Sequence, residues 1–255
     1  IYTIIFPDDF SAENILHLAR SADVLLGMKI PEKMFDNGPN LKLIQTPGAG
    51  VETLPLAQLQ KKGILVCNSH SNSYYVAEYA VSLLLALTKN IALQGKEQPE
   101  TLKGKVVGIL GYGRIGKQVS EFLGSFGCKQ MIFKRHQDSV REQNSERSFI
   151  DNLSFTYDLQ EVLSQADYII VTLPLTSSTR GLLGEKEFAL MKKSAGIINV
   201  GRGPVVNQEA LYLALKEKRI QAAAIDVWYD DFQKTADLIH FSTSYPFEKL
   251  NNIIL

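Results

Sequence analysis

Val106-Val107-Gly108-Ile109-Leu110-Gly111-Tyr112-Gly113-Arg114-Ile115-Gly116 is the stretch that decides how this chain folds. Its first five residues form an apolar run of the length of a buried strand. Beyond it, Ile115, Val119, Phe122, Leu123 and Phe126 recur at helical spacing. Between the two lies G-x-G-x-x-G, and strand–turn–helix is the context in which that pattern binds a dinucleotide. Gly111 permits the tight turn, Gly113 puts no side chain in the way of a pyrophosphate, and Gly116 lets helix and strand pack closely. The helix start, with Arg114 and Ile115 in its first turn, offers free N–H groups and a positive dipole end to phosphate. The glycines alone are a weak signal, since a ligand-free turn has the same letters. The flanking elements supply the specificity.

The next strand, residues 130–133, ends in Lys134-Arg135-His136. NAD-binding sites usually place Asp or Glu here, roughly 20 residues past the glycines, on the ribose hydroxyls. A carboxylate repels a 2′-phosphate, whereas Lys134 and Arg135 pair with it. NADP(H) is therefore expected over NAD(H), although cations at a loop also occur as a merely solvated face.

Outward from this centre, short apolar runs alternate with amphipathic stretches. Strands are expected at 2–6, 24–26, 41–45, 64–67, 106–110, 130–133, 168–172, 196–200 and 222–227. Helical patterns cover 11–20, 115–126, 159–165 and 208–216. A longer helix, about 76–93, has Val81, Leu84, Leu85 and Leu87 on more than one face, so burial on several sides is expected. Residues 134–152 read as a polar loop. Several strands are continuously apolar, as in parallel sheets covered on both faces. The alternation predicts a doubly wound α/β architecture.

The chain has 255 residues, enough for one large or two modest domains. Lys+Arg and Asp+Glu are balanced at 27 each, which argues against bulk attraction to nucleic acid or a membrane surface. The longest apolar run, 81–87, is far below the roughly 20 residues of a membrane span. Cys67 and Cys128 sit apart in apolar runs and read as small buried hydrophobes rather than a disulfide or metal pair, which fits a reducing cytoplasm.

Ligands of open parallel sheets bind beyond the carboxyl ends of strands. One such end leads into Leu173-Pro174-Leu175-Thr176, another into Val200-Gly201-Arg202-Gly203, and a third into Asp226-Val227-Trp228. Pro174, Val200 and Gly201 thereby join the expected cofactor-binding set. Arg202, between glycines, is placed to hold a carboxylate or keto oxygen through paired hydrogen bonds. Spacing alone fits a solvated Arg equally well.

Together these segments resemble the D-isomer-specific 2-hydroxyacid dehydrogenases. Gly48-Ala49-Gly50-Val51-Glu52, Val76-Ala77-Glu78, the 111–116 fingerprint, Leu173-Pro174-Leu175-Thr176, Asn199-Val200-Gly201-Arg202-Gly203, Asp226-Val227-Trp228 and Leu250-Asn251-Asn252-Ile253-Ile254-Leu255 occur in the family's order over nearly the whole chain. The resemblance implies a partial flavodoxin-like substrate domain at 1–73 and a Rossmann-type dinucleotide domain at 74–255. It implies hydride transfer between nicotinamide and C2 of a D-2-hydroxy acid or 2-keto acid, and a homodimer joined through the nucleotide domain. Arg202 takes the family's arginine role, backbone N–H groups at Ala49 and Gly50 bind the substrate carboxylate, His70 lines the cleft, and Asp226 contacts the nicotinamide side.

Asp231 matches the family's glutamate, which orients a catalytic histidine. It is one methylene shorter, and Phe232 stands where the family has Pro. None of His17, His70, His136 and His240 fits the slot of the catalytic histidine, which the resemblance puts just past Leu255. The expectation is a chain truncated at both ends that binds cofactor and turns over poorly or not at all. A nucleotide-sensing, non-catalytic protein resembling the corepressors on this fold is the alternative. A formate-dehydrogenase-like enzyme ranks last, because it should carry Gln at position 231.

Overall fold

The computed structural model describes residues 3–9, 11–27, 30–91, 98–134, 152–229 and 243–255. The chain divides into two compact units, Ile1–Asn72 and Ser73–Leu255.

The first unit holds a three-stranded parallel sheet of β1 (Val24–Leu26), β2 (Leu43–Gln45) and β3 (Leu65–Cys67), in that order. Around it lie α1 (Ala12–Ala19), α2 (Lys33–Asn37) and α3 (Leu56–Lys61). Ser11 caps α1 by accepting the Asn14 N–H through its side chain, which satisfies one of the helix's orphan donors. Phe35, Leu41, Ile44, Leu54, Leu59 and Ile64 form the core. The strand expected at 2–6 is not formed over residues 3–6, where Ile4 and Phe6 are 77% and 81% exposed. An apolar run becomes a strand only when its backbone groups find a ladder, and no described strand pairs with this one.

The second unit is built on a seven-stranded sheet, with every pairing parallel. Its strands are β4 (Val106–Leu110), β5 (Lys129–Phe133), β6 (Leu153–Thr156), β7 (Tyr168–Val171), β8 (Gly196–Asn199), β9 (Ala222–Ile225) and β10 (Ile253–Ile254). The spatial order is β10-β9-β8-β7-β4-β5-β6. Counted from β4, the first six strands follow the 3-2-1-4-5-6 order of a doubly wound nucleotide fold. The helices are α4 (Ser73–Thr88), α5 (Arg114–Leu123), α6 (Leu159–Gln165), α7 (Glu185–Leu190) and α8 (Gln208–Lys216).

Alternation along β7 shows why both faces are covered. Tyr168 and Ile170 point into one core with Ala80, Leu84 and Leu87 of α4 and Val119 and Leu123 of α5. Ile169 and Val171 point into the other with Val162 and Leu163 of α6, Phe188 of α7 and Leu211 and Leu215 of α8. All residues of β7, β8 and β9 are buried, as their uninterrupted apolar sequences demand.

The sheet edge differs. β6 reads Leu-Ser-Phe-Thr, an alternating pattern rather than a continuous apolar run, and no strand is expected there from the sequence. The long helix starts earlier than expected and stops at Thr88. Asn90 takes a left-handed conformation (φ +53°), and Ile91 N–H reaches back to Ala86 C=O at 3.0 Å, closing the helix C-terminus. The short helices α2, α3 and α7 are each too brief for periodicity to reveal. The expected loop at 134–152 lies almost wholly outside the described residues.

Candidate active site

The winding direction reverses between β4 and β7, so a crevice opens at their carboxyl ends. The glycine turn sits there. Gly111 has φ +101°, a conformation that L side chains rarely adopt. A Cβ on Gly116 would stand 2.1 Å from the Gly111 carbonyl oxygen, so the α5 start can lie this close to the turn only without one. At Gly113 the opposite holds: nothing lies within 4 Å of where a Cβ would be. Gly113 is the N-cap of α5, with exposed Arg114 and half-buried Ile115 following. The arrangement fits a pyrophosphate, with a bare backbone, a helix start and open space together.

Thr172 fixes the turn from the neighbouring strand. Its hydroxyl lies 3.1 Å from Leu110 C=O and 3.0 Å from Gly111 C=O, donating to this carbonyl pair. Sequence reading treated Thr172 only as a strand end. Its signal was position, the last residue before Leu173-Pro174. Beyond it, the Thr179 hydroxyl donates to Pro174 C=O at 2.6 Å and accepts the Thr176 N–H at 2.8 Å. Thr179 is buried and holds the Pro174 loop in one shape.

The Val200–Gly203 loop is packed onto that one. Val200 N–H donates to Val171 C=O at 3.1 Å. A Cβ on Gly201 would come within 2.7 Å of the Leu173 carbonyl oxygen, and one on Gly203 within 2.2 Å of the Trp228 carbonyl oxygen. Both glycines are therefore needed for close approach of backbones. Asn199, 1% exposed, works from beneath. Its Oδ1 accepts the Gly201 N–H at 3.1 Å, and its Nδ2 donates to Arg202 C=O at 3.2 Å. Arg202 is half-buried, and its Nη1 donates to Gly201 C=O at 2.8 Å. The residue that shapes the arginine loop is thus the asparagine three positions earlier, quoted in the motif but given no role by sequence.

Asp226 follows β9, with its N–H donating to Asn199 C=O at 3.0 Å. Desolvation raises its carboxyl above the ordinary carboxylate value. Gly111, Gly113, Gly116, Pro174, Val200, Gly201, Arg202 and Asp226 thus gather at the carboxyl ends of four adjacent strands, β4, β7, β8 and β9. Lys134 joins them at the end of β5, because Gly111 N–H donates to the preceding carbonyl, Phe133 C=O, at 3.1 Å. Arg135 and Asp231 lie outside the described residues, as do His136 and His240.

In the first unit, the 46–50 loop is tied to the end of β3. Thr46 N–H donates to Cys67 C=O at 2.8 Å, Ser69 N–H to Gly48 C=O at 3.1 Å, and Asn68 Nδ2 to Ala49 C=O at 2.8 Å. Ala49, Gly50 and His70 therefore share the carboxyl end of that sheet, each half-buried. Among the described residues, no His/Cys/Asp/Glu group is arranged to hold a metal, and no helix is long and apolar enough to cross a membrane.

Residues 83–255 match the family described as "D-isomer specific 2-hydroxyacid dehydrogenase, NAD binding domain". A glyoxylate reductase from Thermofilum pendens is 34% identical over 96% of this chain and 74% of its own length. A D-3-phosphoglycerate dehydrogenase from Methanocaldococcus jannaschii is 33% identical over 89% of the chain, which spans 45% of that longer protein. Among solved structures, D-lactate dehydrogenase from Aquifex aeolicus, complexed with NAD and lactic acid, superimposes with a TM-score of 0.73 at 26% identity, covering 84% of this chain and 67% of that one.

Proposed function

Because this chain belongs to the D-isomer-specific 2-hydroxyacid dehydrogenase family, we propose that it works as an NADP(H)-dependent reductase of small 2-keto acids such as glyoxylate or hydroxypyruvate. The observation that carries this is the convergence of a bare glycine turn, a rigid Arg202 loop and Asp226 at adjoining strand ends. The nicotinamide cofactor, when bound, supplies the hydride that passes to or from substrate C2.

This chain's residues do the rest. Gly111, Gly113, Arg114, Ile115 and Gly116 take the pyrophosphate, while Pro174, Val200 and Gly201 form the wall along the nucleotide. Asp226 faces the nicotinamide side. Arg202 holds the substrate carboxylate and polarises the keto oxygen, stabilising the negative charge that develops there on reduction. Ile1–Asn72 serves as the substrate unit, with the Ala49 and Gly50 N–H groups and His70 toward substrate. Asp231 orients the acid–base histidine and favours its protonated form, since a nearby negative charge raises an imidazole pKa. Lys134 and Arg135 set the cofactor choice: the related D-lactate dehydrogenase structure holds NAD, whereas cations at this strand end favour a 2′-phosphate. The working form is a homodimer joined through the nucleotide unit; Cys128 is buried as expected, whereas Cys67, expected to be buried, is exposed at the end of β3, and the two free thiols suit a reducing cytoplasm.

The test is NADPH consumption by the protein carrying this chain, offered glyoxylate, hydroxypyruvate and larger 2-keto acids, beside a binding titration. Turnover with at least one keto acid is expected, with NADPH preferred over NADH. Tight nucleotide binding without turnover on any of them would replace the reductase by a nucleotide-sensing, non-catalytic protein.

A further inference from the structure

The backbone that follows β9 lies directly against the arginine loop. Where a Cβ on Gly203 would stand, the Trp228 carbonyl oxygen is 2.2 Å away and the Tyr229 nitrogen 3.1 Å away. Residues 228–229 therefore cover the loop that carries Arg202. Two backbones in contact stay in register only when something braces them from behind.

The brace is a set of rings. Trp228 meets Phe247 at 5.9 Å between centroids with the planes 69° apart, and Phe247 meets Tyr212 edge to face at 5.5 Å. Tyr212 also packs against Tyr245 at 5.2 Å. Phe247 is buried, and Trp228, Tyr212 and Tyr245 surround it half-buried. Its backbone is fixed as well. Phe247 opens a one-turn helix, Phe247–Lys249, donates its N–H to Tyr245 C=O at 2.9 Å and accepts the Leu250 N–H at 3.0 Å. Thr243 ties this segment to α8: its hydroxyl accepts from Gln208 Nε2 and donates to Tyr245 C=O at 3.1 Å.

These contacts close a circuit. Arg202 precedes the short turn Gly203–Val205, Asn207 then caps α8 by accepting the Ala210 N–H, and Tyr212 lies on α8. From Tyr212 the path runs through Phe247 and Trp228 back to Gly203. Asn199 holds the arginine loop from one side and the rings hold its cover on the other.

We infer that Phe247 is a positioning residue for Arg202, acting through Trp228. The inference rests on the reading of Arg202 as the group that holds the keto acid. Aromatic pairs have preferred geometries, so Phe247 fixes the direction of the Trp228 ring as well as filling space behind it. An aliphatic side chain fills the space without setting that direction. The 228–229 backbone can then lift from Gly203, and the guanidinium can turn away from its productive place. Misplacement by about 1 Å is enough to cost roughly a hundredfold in rate.

The experiment is a double-mutant cycle on the protein carrying this chain, reading kcat/KM for glyoxylate or hydroxypyruvate, NADPH Kd and melting temperature. Phe247→Leu should lower kcat/KM about tenfold, the scale of the ring pairs it removes, with NADPH Kd unchanged. Trp228→Leu should do the same, and carries the test if Phe247→Leu does not fold. Made on top of Arg202→Ala, either change should cost almost nothing further, because the group it positions is gone. The same fold loss with and without Arg202 overturns the inference, since a merely structural ring acts that way. So does a parallel weakening of NADPH, or a kcat/KM equal to wild type in both leucine variants. If Arg202→Ala itself keeps wild-type turnover, or the wild type reduces no keto acid, the underlying reading of Arg202 fails and the inference falls with it.

Discussion

Two glycine-rich loops of the nucleotide unit look alike in sequence and are used in opposite ways. Gly111-Tyr112-Gly113 wraps a turn that leaves empty space at its tip, where Gly113 has no atom within 4 Å of an added Cβ. Gly201-Arg202-Gly203 is pressed between two other backbones, with added Cβ atoms only 2.7 and 2.2 Å from carbonyl oxygens. The first loop is bare so that a ligand can approach. The second is bare so that the protein can close on itself and hold one side chain, Arg202, at a fixed place. A glycine's purpose therefore depends on what its missing side chain would have met.

The largest test of that contrast is Arg202→Ala. If the packed loop exists to present the guanidinium, keto-acid reduction should fall by roughly 100- to 1,000-fold in kcat/KM, the scale for losing a donor to a developing oxyanion. The melting temperature and the nucleotide Kd should change little. A kcat/KM within a few-fold of wild type would break the contrast at its functional end.

Next comes a pair of alanines, one in each loop. Gly203→Ala should cost about 2–3 kcal/mol of stability, because overpacking against Trp228 forces backbone to move. Gly113→Ala should stay within about 0.5 kcal/mol of wild type, yet weaken NADPH. Thermal unfolding and a nucleotide titration on both variants read the crossed pattern, and equal melting temperatures would remove the distinction.

Asn199→Ala sharpens the comparison from below. It deletes the amide that binds Gly201 N–H and Arg202 C=O, and stranding buried groups costs about 1–3 kcal/mol. Reduction should be lost beyond what the drop in melting temperature explains, with nucleotide affinity retained.

The smallest expected effect lies at the opposite end of β7. Burial would raise the Asp167 carboxyl, but the Lys192 ammonium at 2.8 Å, the Val106 N–H at 2.8 Å and the charge of Lys105 outweigh it and hold it below the ordinary range. A depressed carboxyl stabilises above its unfolded pKa of about 3.9, and the contribution is lost as pH falls through the folded value. Asp167→Asn should therefore cost about 1 kcal/mol at neutral pH, progressively less below pH ~4, and leave nucleotide binding alone. Urea unfolding at neutral and acid pH measures it, and a loss that persists in acid would contradict the ion pair.

Much of this was legible in the chain. The interior strands β4, β7, β8 and β9 were visible because a strand covered on both faces must be apolar throughout. α6 and α8 appear over 159–165 and 208–216, as their spacing predicts. Edge elements were harder to read. β6 shows only Leu153 and Phe155 on alternate positions, and residues 4–6 are apolar without forming a strand. Composition reports what a segment is able to bury, whereas pairing depends on whether a ladder reaches it.

Sequence by itself determined the class of the nucleotide unit, the position of its glycine turn and the residue types at the strand ends. Those follow from local rules: hydrophobic period, glycine conformation and the helix start. Tertiary structure alone decided that Thr172 pins the turn, that Asn199 shapes the arginine loop, and that Phe155 comes to lie beneath Lys134. Each of those contacts joins residues whose proximity depends on strand order or on the path of a loop. For Thr172 and Phe155 no local pattern encodes that closeness, which arises when parallel strands pair and bring distant carboxyl ends side by side; the Asn199 contacts span only two and three residues and depend on the path of the loop.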